Sequence, residues 1–162
     1  MGLPVIPGSK ISTSNSSSPT MKVGAVVSDV NGKLYRYIQV EDQALAKGDV
    51  VEFSDTTGKE VTSDRSGGAS LGRQVAGVAV TTITDAYYGF VQVFGKMSAV
   101  KTDGGVTKGQ LLVPHASVDG RADSEAAGST VVVTSGQVFG MALATDGGTT
   151  SAGTVPAFLR CL

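Results

Sequence analysis

Between positions 23 and 40 the chain carries two short, largely apolar runs, VGAVVSDV and KLYRYIQV, which flank Asn31-Gly32. Asn-Gly tolerates positive φ, so two such runs on either side of it predict a β-hairpin closed by a two-residue turn. Further short apolar runs follow at Val50-Val51, Val75-Ala76-Gly77-Val78-Ala79-Val80, Val91-Gln92-Val93-Phe94, Leu111-Leu112-Val113, Val138-Phe139-Gly140-Met141-Ala142-Leu143 and Val155-Pro156-Ala157-Phe158. Helix has little room: residues 42–47 and 121–127 are the best candidates, and both are too short to persist without tertiary support. The connections 63–72, 102–108 and 145–153 are rich in Gly, Ser, Thr and Asp, and are expected at the surface, where partner contacts are made.

A weak duplication runs through this pattern. Lys47-Gly48-Asp49-Val50-Val51-Glu52-Phe53 is matched by Lys108-Gly109-Gln110-Leu111-Leu112-Val113-Pro114, 61 positions later. Thr57-Gly58-Lys59 recurs in type as Asp119-Gly120-Arg121, and the run from Val75 recurs as the run from Val138, at offsets of 62 and 63. Val91-Gln92-Val93-Phe94 pairs with Val155-Pro156-Ala157-Phe158, which predicts two related β-lobes within one domain.

Composition supports the strands. Valine outnumbers leucine 23 to 9 and glycine makes 22 of the 162 residues, a balance that favours β structure joined by tight turns; 41% apolar residues suffice for one core. The expected fold is therefore all-β, one compact barrel-like body over residues 21–162. Residues 1–20 differ from it, with three prolines, six serines and Lys10 as the one charge, and read as a flexible N-terminal arm. Its apolar residues, Ile11 among them, and Lys10 are candidates to order on a partner.

Charge and chemistry narrow the function. Thirteen basic residues against fourteen acidic ones leave no global field to hold nucleic acid or an anionic membrane, and no apolar stretch approaches the ~18 to 20 residues of a membrane span. Production and retention in a cytosol is expected. One cysteine, Cys161, and one histidine, His115, make neither an intramolecular disulfide nor a usual zinc site. Asp29-Val30-Asn31-Gly32 is faintly like a calcium loop but reads as a turn, and so do Asp103-Gly104-Gly105 and Asp146-Gly147-Gly148. The glycine-rich run Ser66 to Arg73 lacks the Lys-Ser/Thr pair of a phosphate cradle. Arg65 and Arg73, which bracket it, are candidates to grip carboxylates of another chain. His115, Ser117 and Asp119 alternate along one segment and describe direction, not a converging triad. A serine-lysine hydrolase would need a desolvated lysine, with Lys22, Lys47, Lys96 and Lys108 the ones to inspect, and nothing in the spacing selects one. Tyr87-Tyr88-Gly89-Phe90 is the one aromatic cluster, suited to a core, a subunit contact or the stacking of sugars.

Tyr35-Arg36-Tyr37-Ile38-Gln39-Val40, Lys47-Gly48-Asp49-Val50-Val51, Asp64-Arg65-Ser66-Gly67-Gly68, Leu71-Gly72-Arg73-Gln74-Val75-Ala76-Gly77-Val78-Ala79 and Tyr88-Gly89-Phe90-Val91-Gln92-Val93 together resemble the head-decoration (capsid cement) proteins of tailed bacteriophages, among them the lambda head-decoration protein. The resemblance spans residues 22–162. It implies a β-tulip or β-clip type of fold, no cofactor and no enzymatic activity. It further implies a capsid-stabilising structural protein that binds the exterior of the expanded shell of major capsid protein as a trimer and is assembled in the host cytoplasm. Lys10, Ile11, Arg65 and Arg73 are then the capsid-contact candidates, and Tyr87, Tyr88 and Phe90 the oligomer-interface candidates. Two other classes compete: a serine-lysine hydrolase of β-clip-like fold, which fluorophosphonate labelling tests, and a carbohydrate-binding adhesin module using Tyr87 and Tyr88, which a glycan array tests.

Overall fold

The computed structural model describes residues 2–65, 74–125, 137–146 and 152–161. One short helix, α1 (Gly8–Ser12), precedes ten strands: β1 (Val26–Ser28), β2 (Leu34–Val40), β3 (Val50–Phe53), β4 (Glu60–Thr62), β5 (Val75–Ala79), β6 (Tyr88–Thr102), β7 (Leu111–Pro114), β8 (Ala122–Ser124), β9 (Gly140–Ala142) and β10 (Gly153–Arg160). The all-β expectation holds.

The strand pairing closes on itself twice. In the first circuit β2 pairs parallel with β4, β4 with β3, β3 with β5, β5 with β6, and β6 returns to β2. In the second, β6 pairs parallel with β8, β8 with β7, β7 with β9, β9 with β10, and β10 returns to β6. Closure removes the edges that an open sheet leaves unpaired. The 15-residue β6 serves both circuits, its first half closing one barrel and its second half opening the next.

The duplication is thus a structural repeat. Val50↔Val78 in the first barrel corresponds to Leu111↔Met141 in the second, Glu52↔Thr62 to Val113↔Asp123, and the parallel pair Val40↔Val61 to Thr102↔Ala122. Even loop bonds repeat: Gly48 N–H donates to Ala79 O and Gly109 N–H to Ala142 O, each at 2.9 Å. One correction concerns the closing strand. Val78 faces Gln92 and Met141 faces Phe158, so Gln92 matches Phe158 at an offset of 66, two more than the sequence alignment implied. The connection from β9 to β10 is the longer of the two, and a slip of two residues leaves the same side chains facing inward.

Inward positions make one continuous core. Val40, Val51, Val61, Val91 and Val93 fill the first barrel, Val100, Leu112, Ala142, Val155 and Leu159 the second, and all belong to one buried cluster. Each valine and leucine among them contributes on the order of 1.5–3 kcal/mol by leaving water, enough to make the two barrels one domain.

Three local expectations need correction. The opening hairpin exists, with Ser28 opposite Leu34, but Asp29 N–H still bonds Lys33 O, so the loop is Val30-Asn31-Gly32 and only its glycine takes positive φ, at 75°. Residues 42–47 are non-helical, bending at Asp42, which takes φ 75°, and bridging at Leu45 to Ile83. The other expected helix is occupied by β8, because Ala122 is drawn into the ladder beside β6 and β7; its residues 126 and 127 lie outside the described residues.

Candidate interaction surface: the arm and its seat

The N-terminal segment lies against the outer face of the first barrel. Ser28 N–H donates to Pro4 O at 3.0 Å and Ile6 N–H to Ser28 O at 2.9 Å; Ser16 and Tyr88 exchange both backbone bonds, at 3.1 and 2.8 Å. Between these two stitches α1 presents Ile11 to a small second cluster made with Val27, Tyr35, Tyr37 and Phe90. Tyr37 packs on Phe90 with centroids 5.0 Å apart, and its hydroxyl accepts Thr20 N–H at 3.0 Å. A groove of about 470 Å³ runs beside the arm, lined by Ile6, Lys10, Asn15, Met21 and Phe90 among others.

The candidates fall in different places. Ile11 and Phe90 are both buried in this one small cluster, which seats the arm in the single chain. Lys10 is exposed. Tyr88 is half-buried on the same cluster, stacked 6.2 Å from Tyr37, and Tyr87 packs half-buried on the main core. Arg65, expected at a partner-facing loop, is buried instead: its Nη2 lies 2.8 Å from Glu52 Oε1, and its N–H donates to Asp119. A guanidinium so placed offsets the charge that Glu52 buries at its outward position on β3. Arg73 lies outside the described residues, as do residues 66–72.

The seat gives the first prediction. Ile11→Asp places a charge where a side chain only 2% exposed had packed, and is expected to detach α1. Limited proteolysis should then cut within residues 1–20 at least tenfold faster than in the wild type, while the barrels keep their circular-dichroism spectrum.

A second depression of about 450 Å³ opens at the rim of the first barrel, lined by Lys22, Arg36, Phe53 and Lys59. Arg36 lies over the Phe53 ring, 4.9 Å from its centroid, and burial draws its guanidinium below its ordinary pKa.

The residues inspected for catalysis do not converge. His115 Nδ1 accepts the backbone N–H groups of Ser117 and Val118 at 3.1 and 3.0 Å, its Nε2 lies 3.6 Å from Asp103, and Asp119 is committed to Arg65. Lys22, Lys47, Lys96 and Lys108 are all exposed, so none is desolvated. Asp146 accepts the Thr102 hydroxyl at 2.6 Å; Gly147 and Gly148 lie outside the described residues. Asp29 accepts N–H groups of Asn31 and Lys33 and the Tyr35 hydroxyl, so it is a turn residue. Burial alone would raise its carboxyl, but these bonds outweigh it and hold the pKa below the usual value. Tyr35 is pushed up to about 12 by burial and by the Asp29 charge. Among the described residues no group of three or more His, Cys, Asp or Glu side chains is placed to hold a metal, and no helix is long and apolar enough to cross a membrane.

Cys161 follows β10, buried, with its Sγ–H directed at Phe139 O at 3.7 Å. Burial pushes its thiol from 9.0 up to about 12. The fold thus favours the neutral thiol, a preference fully present below pH 9.0 and lost as pH rises toward about 12. An aromatic disulfide reagent at pH 8 should label Cys161 only through unfolding, at a rate that rises with denaturant; prompt labelling of the native protein would contradict its burial.

Neither a protein-family model nor a curated protein matches the sequence. A solved structure, the N base of head fiber gp8.5 in bacteriophage phi29, superposes on 80% of this chain and 98% of its own, with a TM-score of 0.48 at 14% identity. At that identity and score the likeness assigns neither fold family nor role.

Proposed function

We propose that the chain is a non-enzymatic structural protein of a phage virion, a decoration protein that binds the outside of the expanded capsid, cements major capsid protein subunits and acts as a homo-oligomer, a trimer by the resemblance. The observation that carries this reading is the seat of the arm. The arm is held to a rigid body by two short backbone stitches, hydrogen bonds between Asn15 and Thr84 and from Thr20 to Tyr37, and one buried side chain, Ile11, with Ile6 packed beside it, a contact small enough to be exchanged. The same backbone groups that bond Ser28 and Tyr88 can add a strand to a sheet edge of a neighbouring shell subunit. Supporting it are the order of β motifs over residues 22–162 and a body whose two barrels share a strand and one core, suited to resist deformation where capsomers meet. Many copies on one shell then act multivalently.

Deleting residues 2–20 should leave the barrels folded and abolish co-sedimentation with expanded empty heads. Lys10→Glu, an exposed change, should weaken binding severalfold at low salt and less at high salt. Undiminished binding by both variants would remove the arm from shell recognition.

A further inference from the structure

The repeat allows one face to be compared in two settings within a single chain. On the first barrel the outward residues Val50, Val78 and Gln92 stand side by side across β3, β5 and β6, and are 3%, 0% and 2% exposed. The corresponding residues of the second barrel, Leu111, Met141 and Phe158, form the same cross-strand row on β7, β9 and β10, and are 46%, 42% and 41% exposed. The row is wholly apolar, and Phe94 extends it, edge-on to Phe158 at 5.3 Å. Isolated exposed apolar residues are ordinary; three large ones in register on adjacent strands are a patch, and patches mark contacts.

What adjoins the row on the first barrel is known. Gly120 O, from the second barrel, accepts Val50 N–H at 2.8 Å; Lys101 N–H, also from the second barrel, bonds Gly48 O at 2.9 Å, and its ammonium lies 2.7 Å from Asp49. Gly120 approaches so closely that a Cβ there would fall 2.8 Å from the Asp49 carboxyl. At its Val50 end the row thus adjoins, inside this chain, another barrel of the same fold. Among the described residues the matching place on the second barrel, beside Leu111, is open.

We infer that the Leu111–Met141–Phe158 row is the surface on which a second copy of this chain docks, barrel against barrel, with Lys96, paired to Phe158 across β6, at its polar rim. This rests on the homo-oligomeric part of the proposed function and not on shell binding. It also moves the subunit contact away from Phe90, which the arm occupies.

The test is light scattering on the full-length wild type and on Met141→Glu and Leu111→Glu, with circular dichroism and thermal melts alongside. Both positions face outward, so both variants should fold as the wild type does. The wild type is expected to run as an oligomer and each variant as a monomer, with self-association weakened at least tenfold. An oligomer that survives both substitutions intact would overturn the surface and leave the oligomer standing. A wild type that is monomeric at every concentration would overturn both.

Discussion

Gly77→Ala destabilises the protein by roughly 3 kcal/mol or more, read as the shift in urea midpoint at constant slope. Gly77 holds φ at 151°, where L side chains are strained, and its missing Cβ would fall 2.7 Å from Gln92 O and 2.9 Å from Val91 Cγ2. The side chain cannot turn away, since the obstacle is the backbone of β6 hydrogen-bonded to the same ladder. Gly140 is its repeat partner, and a Cβ there would meet Phe158 O at 2.7 Å. Its φ is ordinary, so Gly140→Ala meets the clash without the dihedral strain and costs less, about 1–3 kcal/mol. The pair reads out the repeat: both glycines sit where an inward position of one strand meets the next strand of its barrel. A Gly77→Ala protein within about 1 kcal/mol of wild type would mean that β5 and β6 do not approach this closely.

Arg65→Leu costs roughly 3–5 kcal/mol, because it removes the guanidinium that faces the buried Glu52 carboxylate. The side chains of Arg65 and Glu52 are 5% and 4% exposed and 2.8 Å apart, so water cannot replace the lost partner. Glu52→Leu alone should cost a similar amount, and the double variant should recover most of the loss, since removing both charges also removes their desolvation penalty. A double-mutant cycle measures this coupling. If either single variant costs under about 1 kcal/mol, the pair is solvated and the fold near β3 is looser than described.

Much of the architecture was legible because it rests on local rules. The apolar run after Asn31-Gly32 located β2, the Lys-Gly openings located the starts of β3 and β7, and the matched offsets exposed the repeat before any strand was paired. Closure was not legible, because pairing β2 with β4 and β6 with β8 in parallel is a long-range event that no local pattern encodes. Residues 121–127 read as helical from composition alone, and the ladder overrode a weak propensity. The seat of the arm was not legible for a related reason: the segment has no periodic apolar face, and what holds it, Ile11 in the small cluster and hydrogen bonds to Ser28, Tyr37, Thr84 and Tyr88, joins residues distant in the sequence. Arg65 read as a surface residue because its partner, Glu52, lies on another strand, and nothing along the sequence joins them. The exposed row at Leu111, Met141 and Phe158 escaped notice for the opposite reason: such residues look like core until their register shows which face they occupy.

The central claim, that this chain decorates a phage capsid, is tested most directly by titrating the purified protein onto expanded empty heads of its phage and counting bound copies after sedimentation. The account predicts saturation at a fixed number of copies per capsomer and heads that withstand higher temperature once coated. Binding that never saturates, or heads that sediment bare, would contradict it.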